Sequence, residues 1–176
     1  RQILRGIMSH ITIIDDFLPW PEFRGLRNIF YNDKKFSWVH NRSVAYETDK
    51  NSNWNWYGTH MFYENHKPVS KYYDFLGPLL EKMHLKCGLH ALYRIKGNFY
   101  PWTETLKEHP WHIDYNFPHK GALLSMNTCD GYTAFEDGTK VESVENRMLL
   151  FDPRVKHHST TTTDAKGRYN INFNYL

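Results

Sequence analysis

Alternating apolar and polar positions dominate the C-terminal half of the chain. From Arg168 to Tyr175 every second residue is aromatic or branched, and the residues between them are Arg or Asn. Successive side chains of a strand point to opposite faces, so this pattern predicts a strand with one apolar and one polar face. Shorter segments of the same kind, separated by turns, predict further antiparallel strands over 89–96, 122–127, 132–135, 140–144, 147–151 and 155–159.

The N-terminal half shows helical spacing instead. Between Pro21 and Asp33, apolar residues recur three or four positions apart, which predicts a helix with the proline in its first turn. A second helix is predicted over 68–86, with Gly77-Pro78 as a place where it is kinked or split and Gly88 as its end.

The remaining N-terminal segments show no period. A β-branched run over 11–17 predicts a short strand before the first helix. Residues 38–56 are rich in Asn, Ser and Trp, and we expect a long loop there with one strand near Val44–Tyr46.

These elements predict a mainly β protein with flanking helices, of the α+β class. Many short antiparallel strands without helices between them favour a barrel or jelly roll, with the N-terminal helices packed on one sheet. The length of 176 residues favours a single domain over 1–176. Within it we expect a helical support region over 1–88 and a jelly-roll core over 89–176.

Composition narrows the class of partner and the compartment. Lys and Arg number 22 and Asp and Glu 19, an excess too small to indicate nucleic acid as a partner. No apolar run approaches the roughly 20 residues that span a bilayer, and no secretory signal is visible. The two cysteines, Cys87 and Cys129, are too few for a disulfide-dense scaffold, so we expect a reduced, cytoplasmic protein. The chain begins at Arg1, and Met8 is a candidate natural start.

The polar face of the last predicted strand needs an explanation, because asparagine is a poor strand former. A solvated edge strand would account for it, and so would a polar cavity inside a barrel. In the second case Arg168 would lie at the mouth of the cavity, where a guanidinium can bind a carboxylate through two hydrogen bonds.

His112 and Asp114 are two residues apart and share one face of an extended segment. Such a triplet alone is more often a coincidence on the surface or a hydrogen-bonded pair than a set of metal ligands. His157 adds weight, because two histidines and a carboxylate on one face of an iron ion are typical of non-haem Fe(II) oxygenases. His157 and His158 are adjacent and face opposite sides of a strand, so only one of them can bind the ion.

With Arg168 following His157, the sequence resembles the iron(II)- and 2-oxoglutarate-dependent dioxygenases, in their prolyl-4-hydroxylase-like branch. The resemblance covers close to half of the chain, from Tyr93 to Tyr175. The family pattern favours His157 as the second histidine ligand, and His158 stays the alternative. The segments that carry the resemblance are 93–101, 112–115, 127–138, 146–147, 149–151 and 157–175.

The resemblance implies a double-stranded β-helix, the cupin-like jelly roll of this family. It implies that His112, Asp114 and His157 bind Fe(II), and that Arg168 binds the distal carboxylate of 2-oxoglutarate. Further contacts to the co-substrate are implied for Tyr100 and Asn172, and Asn98 and Thr133 are weaker candidates for lining the pocket.

The implied activity is hydroxylation of an unactivated C–H bond, in which O2 reduction is coupled to decarboxylation of 2-oxoglutarate to succinate and CO2. Asp114 favours hydroxylation over halogenation, because halogenating relatives lack this carboxylate. Ascorbate is a further expected cofactor. By analogy the substrate is a prolyl residue or another amino-acid or peptide group, with a small metabolite as a further option, and the protein is a monomer or homodimer. The alternative is a cupin-like module that binds metal without turnover, which gives no reason for Arg168.

The other histidines have no partner at ligand spacing, and we expect them to be surface or hydrogen-bonded residues; His109 and His119 are among them. Several aromatic residues are candidates either for a substrate cleft or for packing between helices and sheet. Trp111 is the best candidate for contact with substrate, because it directly precedes His112.

Overall fold

The computed structural model describes residues 11–45 and 52–176, which contain two α-helices and eleven strands. The helices are α1 (Trp20–Asn32) and α2 (Gly77–Cys87), and a 3₁₀ helix at Tyr73–Leu76 leads into α2. The strands are β1 (Ile11–Ile14), β2 (Val39–Asn41), β3 (Tyr57–Glu64), β4 (Lys67–Pro68), β5 (Leu92–Pro101), β6 (Lys120–Ser125), β7 (Cys129–Phe135), β8 (Lys140–Ser143), β9 (Met148–Phe151), β10 (His157–Ser159) and β11 (Gly167–Tyr175).

The strands form two antiparallel sheets. The large sheet has the order β1-β9-β6-β11-β5-β3-β2, with β4 paired to β3, and the small sheet has the order β10-β7-β8. A single bridge between His112 and His157 continues the small sheet beyond β10. From β5 onward the chain passes between the two sheets several times, which confirms the predicted jelly roll with flanking helices.

The apolar face of β11 anchors the core. Ile171 and Phe173 are fully buried in one cluster with Phe23 of α1 and Leu79 of α2. Burying such a side chain contributes about 1.5–3 kcal/mol each relative to leaving it in water. The helices therefore cover one face of the large sheet, as predicted, and leave its other face to the small sheet.

The second helix begins later than predicted. Lys67 and Pro68 pair with β3, and the α-helix starts only at Gly77, so Gly77-Pro78 marks its first turn rather than a kink. Proline lacks the N–H that a helix interior needs, but the first turn has no partner for that group. The helix ends as predicted at Gly88, which adopts φ +65°.

The prediction of a loop over 38–56 was wrong at its start, because β2 lies there, and β3 directly after it was not predicted. Residues 1–88 therefore contribute strands to the large sheet as well as helices. Strand β3 is covered on both faces: Phe62 is fully buried in the helix-covered core, and Tyr57 stacks on Tyr100. A strand buried on both sides shows no alternation between apolar and polar positions.

Some N-terminal predictions lie at or beyond the limits of the described residues. Met8 lies outside them, and so does Tyr46, the end of the strand expected near Val44–Tyr46; Val44 itself is not part of a strand. Within the described residues, none of the helices has the length and apolarity to cross a membrane. Both cysteines are free thiols.

Asn146 ties the segment before α1 to the β core. Its Oδ1 accepts a hydrogen bond from the Leu18 N–H at 2.9 Å, and its Nδ2 donates to the Leu18 carbonyl at 2.8 Å. Its own carbonyl accepts from the Phe17 N–H at 2.9 Å. Asn146 is fully buried at φ +61°, a conformation that asparagine adopts more readily than most residues with a β-carbon.

Replacing Asn146 should separate the contribution of its side-chain hydrogen bonds from that of its positive φ. Asn146→Ala removes both side-chain bonds and leaves a β-carbon at positive φ, so we expect the free energy of unfolding to fall by roughly 3 kcal/mol. Asn146→Gly loses the same bonds without the backbone strain and should lose about 1 kcal/mol less. Urea unfolding measures both values, and wild-type stability in either variant would contradict this role.

Candidate metal centre

Three side chains converge between the two sheets. Asp114 Oδ1 lies 4.0 Å from Nε2 of His112 and 3.9 Å from Nε2 of His157. The ligand atoms of the three residues all lie within 4.8 Å of one another. The backbones of His112 and His157 exchange hydrogen bonds of 3.0 and 2.9 Å, which places the two imidazoles side by side. The structure thus brings together all three residues predicted as ligands.

Backbone carbonyls orient both imidazoles. Nδ1 of His112 lies 3.2 Å from the Pro110 carbonyl, and Nδ1 of His157 lies 2.9 Å from the Val155 carbonyl. Because a carbonyl only accepts, each Nδ1 carries a proton, and Nε2 is the ring nitrogen on the side of Asp114. Two imidazole nitrogens and one carboxylate oxygen form the donor set of a non-haem iron centre.

Electrostatics hold His112 and Asp114 in the protonation states that metal binding needs. Burial, and then the neighbouring His157, lower the pKa of His112 to about 4. Burial opposes ionisation of Asp114, but His157 and the Arg94 guanidinium outweigh it and lower the pKa of the carboxyl to about 2. At neutral pH the cluster therefore presents a carboxylate next to a neutral His112.

Arg168 is buried on the polar face of β11, with only 1% of its surface exposed. Its Nη2 donates to Thr133 Oγ1 at 2.8 Å. Its Nε and Nη1 have no hydrogen-bond partner in the described part of the chain, and no carboxylate there contributes to its electrostatic environment. A buried guanidinium without a counter-ion is costly, so its free N–H groups indicate a site for an anion.

Tyr100 stands directly opposite Arg168 in the pairing of β5 with β11. The Arg168 Cζ lies 5.6 Å from the centroid of the Tyr100 ring. Burial raises the pKa of Tyr100, so its phenol stays protonated and can donate a hydrogen bond. Tyr57 stacks on its ring with centroids 5.9 Å apart, which fixes the ring at the edge of the cavity.

The three metal-ligand candidates share one cavity with Tyr100 and Asn172, whereas Arg168 is not among the residues that line it. Sequence reasoning missed Lys96, whose pKa burial and the nearby Arg94 lower to about 8. Its position on the same face of β5 as Tyr100 was the available signal. The cavity is lined by Lys96, Asn98, Tyr100, His112, Asp114, Leu123, Thr133, Phe151, His157, Ser159 and Asn172.

His158 points away from this cavity. Its ring packs edge-on against Trp111 with centroids 4.2 Å apart, and its Nε2 lies 4.0 Å from a carboxylate oxygen of Glu108. Trp111 is 46% exposed and lies beside His158 rather than on the cavity wall. Because neighbours on a strand face opposite sides, only His157 can lie beside His112 and Asp114, and we call these three residues the metal-ligand cluster.

His109 and His119 are both hydrogen bonded, and neither lies on the surface. Nδ1 of His109 lies 2.9 Å from Ser159 Oγ, while its Nε2 has no partner within the described residues. Burial, and then the charge of Arg168, lower the pKa of His109 to about 3. His119 contacts Asn174 at the end of β11.

No family model matches the sequence, and no curated protein matches it. Several solved structures do match this chain. A Pseudomonas putida prolyl-4-hydroxylase is 15% identical, with a TM-score of 0.63, 98% of this chain covered and 96% of that one. A Trichoplax adhaerens prolyl hydroxylase, in complex with a hypoxia inducible factor peptide, is 17% identical, with a TM-score of 0.63 and coverages of 96% and 84%.

HygX from Streptomyces hygroscopicus, solved with nickel and 2-oxoglutarate, is 10% identical, with a TM-score of 0.62 and coverages of 94% and 82%. The chain has the fold of these oxygenases. Their shared double-stranded β-helix accounts for the two facing sheets and for the position of the cavity between them. At these identities the double-stranded β-helix alone is established, and the chemistry has to be argued from the residues in the cavity.

Replacing each of the two adjacent histidines, His157 and His158, by alanine should separate their roles. His157→Ala removes one of three ligands and should weaken Mn(II) binding by at least tenfold, because two donors hold the ion less well than three. His158→Ala leaves the metal-ligand cluster intact and should bind Mn(II) as the wild type does. Titration followed by electron paramagnetic resonance measures both affinities, and the reverse order would move the ligand to His158.

The metal-free protein should lose stability as the pH falls below about 6.5. Below that pH His109 and His112 bind protons in the unfolded chain. In the folded chain burial lowers the pKa of His109 to about 3 and that of His112 to about 4, so they stay neutral. Each of these two histidines therefore lowers the free energy of unfolding by up to about 1.4 kcal/mol for every unit by which the pH falls. His109→Gln should flatten the curve, measured by urea unfolding in chelator from pH 7 to 4.5. The exposed His90→Gln variant serves as the control, and a His109→Gln curve as steep as the wild type would contradict the assignment.

Proposed function

We propose that this protein is a non-haem oxygenase that depends on Fe(II) and 2-oxoglutarate and hydroxylates an unactivated C–H bond. One observation carries the proposal: the metal-ligand cluster shares its cavity with Thr133 and Tyr100, and both contact Arg168, whose Nε and Nη1 have no partner among the described residues. Metal binding alone does not explain the buried guanidinium of Arg168, whereas a carboxylate of a co-substrate would supply its missing counter-charge.

The donor set supports Fe(II) as the metal. His112, Asp114 and His157 would hold it through two Nε2 atoms and Asp114 Oδ1, and three protein ligands leave the remaining positions to co-substrate and O2. The bound metal and 2-oxoglutarate supply the oxidising chemistry, in which O2 reduction is coupled to decarboxylation to succinate and CO2. The chain itself orients the reactants and keeps bulk water away from them.

The surroundings of Arg168 support a dicarboxylate co-substrate. Its Nε and Nη1 keep N–H groups without a partner, which can donate to carboxylate oxygens, while Thr133 accepts from the third nitrogen and holds it in place. The protonated Tyr100 hydroxyl is available to the same carboxylate, and Asn172 lies on the same cavity wall. Gly131 leaves room for the Arg168 side chain, since a β-carbon at position 131 would lie 2.7 Å from Arg168 Cδ.

We further propose that the substrate is a prolyl residue or another amino-acid group, free or in a peptide. A second pocket, lined in part by Glu64, Tyr93, Arg94 and Tyr115, adjoins the metal-ligand cluster. Arg94 connects the two, because its Nη2 lies 3.8 Å from Asp114 Oδ1 and its guanidinium lies 4.9 Å from the Tyr115 ring centroid. Aromatic walls with one acidic and one basic group suit an amino-acid group.

Turnover of 2-oxoglutarate tests the proposal. The protein is loaded anaerobically with Fe(II), then given 2-oxoglutarate, ascorbate and O2, with and without proline-containing peptides, and succinate is measured. The proposal expects succinate from the wild type and none above background from Asp114→Ala. Metal binding without any succinate would favour the cupin-like module instead.

Arg168→Leu should separate co-substrate binding from metal binding. Loss of a buried charged hydrogen-bond pair costs about 2–5 kcal/mol, so the KM for 2-oxoglutarate should rise by roughly 30-fold or more. The affinity for Mn(II) should not change, because Arg168 does not touch the ligands. Arg154→Leu, which removes an exposed pair with Asp152, is the matched control. An unchanged KM in Arg168→Leu would reject the role of the guanidinium.

A further inference from the structure

Asn174 contacts the carboxylate of the metal-ligand cluster from behind. It lies at the end of the polar face of β11 and is fully buried. Its Nδ2 donates to Asp114 Oδ2 at 2.8 Å, and its Oδ1 accepts from Arg94 Nη2 at 2.8 Å. Asp114 Oδ1, the other carboxylate oxygen, is the one that faces the two imidazoles.

The orientation of this amide is determined on both sides. The carboxylate of Asp114 only accepts and the guanidinium of Arg94 only donates, so a flipped Asn174 amide would face two unfavourable contacts. The amide nitrogen carries a second N–H, and His119 Nε2 lies 3.2 Å from that nitrogen.

His119 is held in the tautomer that can accept this second bond. Its Nδ1 lies 2.7 Å from the Phe117 carbonyl, so Nδ1 carries the proton and Nε2 keeps its lone pair. Only 8% of the residue is exposed, so water does not readily replace the contact. A chain of hydrogen bonds therefore runs from the Phe117 carbonyl through His119 and Asn174 to Asp114.

We propose that Asn174 and His119 are positioning residues that fix Asp114 as a metal ligand through one oxygen only. The inference rests on the proposed function, because it concerns the same metal site. With Oδ2 engaged by Asn174, Oδ1 alone is presented to the ion. A carboxylate that bound through both oxygens would take a fourth position and leave fewer for the co-substrate.

A purely structural role for His119 is the competing explanation. Its ring packs on Phe117 and Tyr115, with centroids 4.7 and 5.6 Å apart. His119→Phe keeps an aromatic ring at this place and removes only the acceptor for Asn174. His119→Gln places an amide oxygen near the position of Nε2 and should restore the acceptor.

Metal affinity without co-substrate is the first measurement, by anaerobic titration with Mn(II). Asn174→Leu should weaken binding by about 10–100-fold, as loss of an outer hydrogen bond to a metal ligand usually does. His119→Phe should weaken binding by a smaller factor, and His119→Gln should recover most of it. Tyr175→Phe, which removes a bond to the Cys87 carbonyl from the opposite face of β11, is the matched control and should bind as the wild type does.

The double variant tests whether the two residues act in series. If His119 acts through Asn174, adding His119→Phe to Asn174→Leu should cost no further affinity. In addition, the absorption spectrum of bound Co(II) should change in Asn174→Leu, because a freed Oδ2 alters the coordination of the ion.

The outcomes separate this inference from the proposed function. Unchanged Mn(II) affinity in folded Asn174→Leu and His119→Phe, or fully additive losses in the double variant, would overturn the inference alone. A lower melting temperature of His119→Phe with wild-type affinity would assign His119 a structural role and overturn its part. A wild type that binds no divalent metal would instead remove the proposed function.

Discussion

Because side chains alternate along β11, this strand packs its aromatic face on the helices and directs its Arg and Asn residues to the inside of the barrel. The apolar face, with Ile171 and Phe173, is part of the main core. The polar face holds Arg168 at one end and Asn174, in contact with Asp114, at the other. A shift of one residue in its pairing would exchange the two faces and abolish both the core and the cavity.

The metal-ligand cluster depends on backbone pairing as much as on its side chains. The bridge between His112 and His157 sets the distance between the two imidazoles, and carbonyls two residues before each histidine fix the tautomers. These carbonyls are backbone groups, so they are present whichever side chains the two positions carry. The arrangement is therefore robust to substitutions around it but sensitive to changes in the backbone of β10 or of the segment around His112.

Sequence reasoning succeeded where a pattern is local. Strand β11, helix α1 and the end of α2 at Gly88 follow from alternation, helical spacing and a left-handed residue, each visible within a few positions. Strand alternation also predicted that His112 and Asp114 share one face, whereas His157 was predicted as the third ligand from the resemblance to the iron(II)- and 2-oxoglutarate-dependent dioxygenases.

Features that depend on distant partners were not predicted. Strand β3 is covered on both sides, so its residues show no period that a sequence reader can detect. Lys96 has only its place on the same face of β5 as Tyr100 to indicate a role, and His119 has no such sequence neighbour. Lys96 lines the cavity only because β5 lies beside β11, and His119 meets Asn174 across 55 positions of the chain.

The unpaired guanidinium of Arg168 has a thermodynamic consequence for the protein as a whole. In the ligand-free state the fold bears the desolvation cost of a cation that has no counter-charge among the described residues. A dicarboxylate that binds only the native chain would relieve this cost and stabilise the fold, by about 2.7 kcal/mol at a concentration 100 times its Kd. Under the proposed function this dicarboxylate is 2-oxoglutarate, and the proportion of intact molecules that escape proteolysis would then follow its supply, so that abundance and activity would respond to the same metabolite.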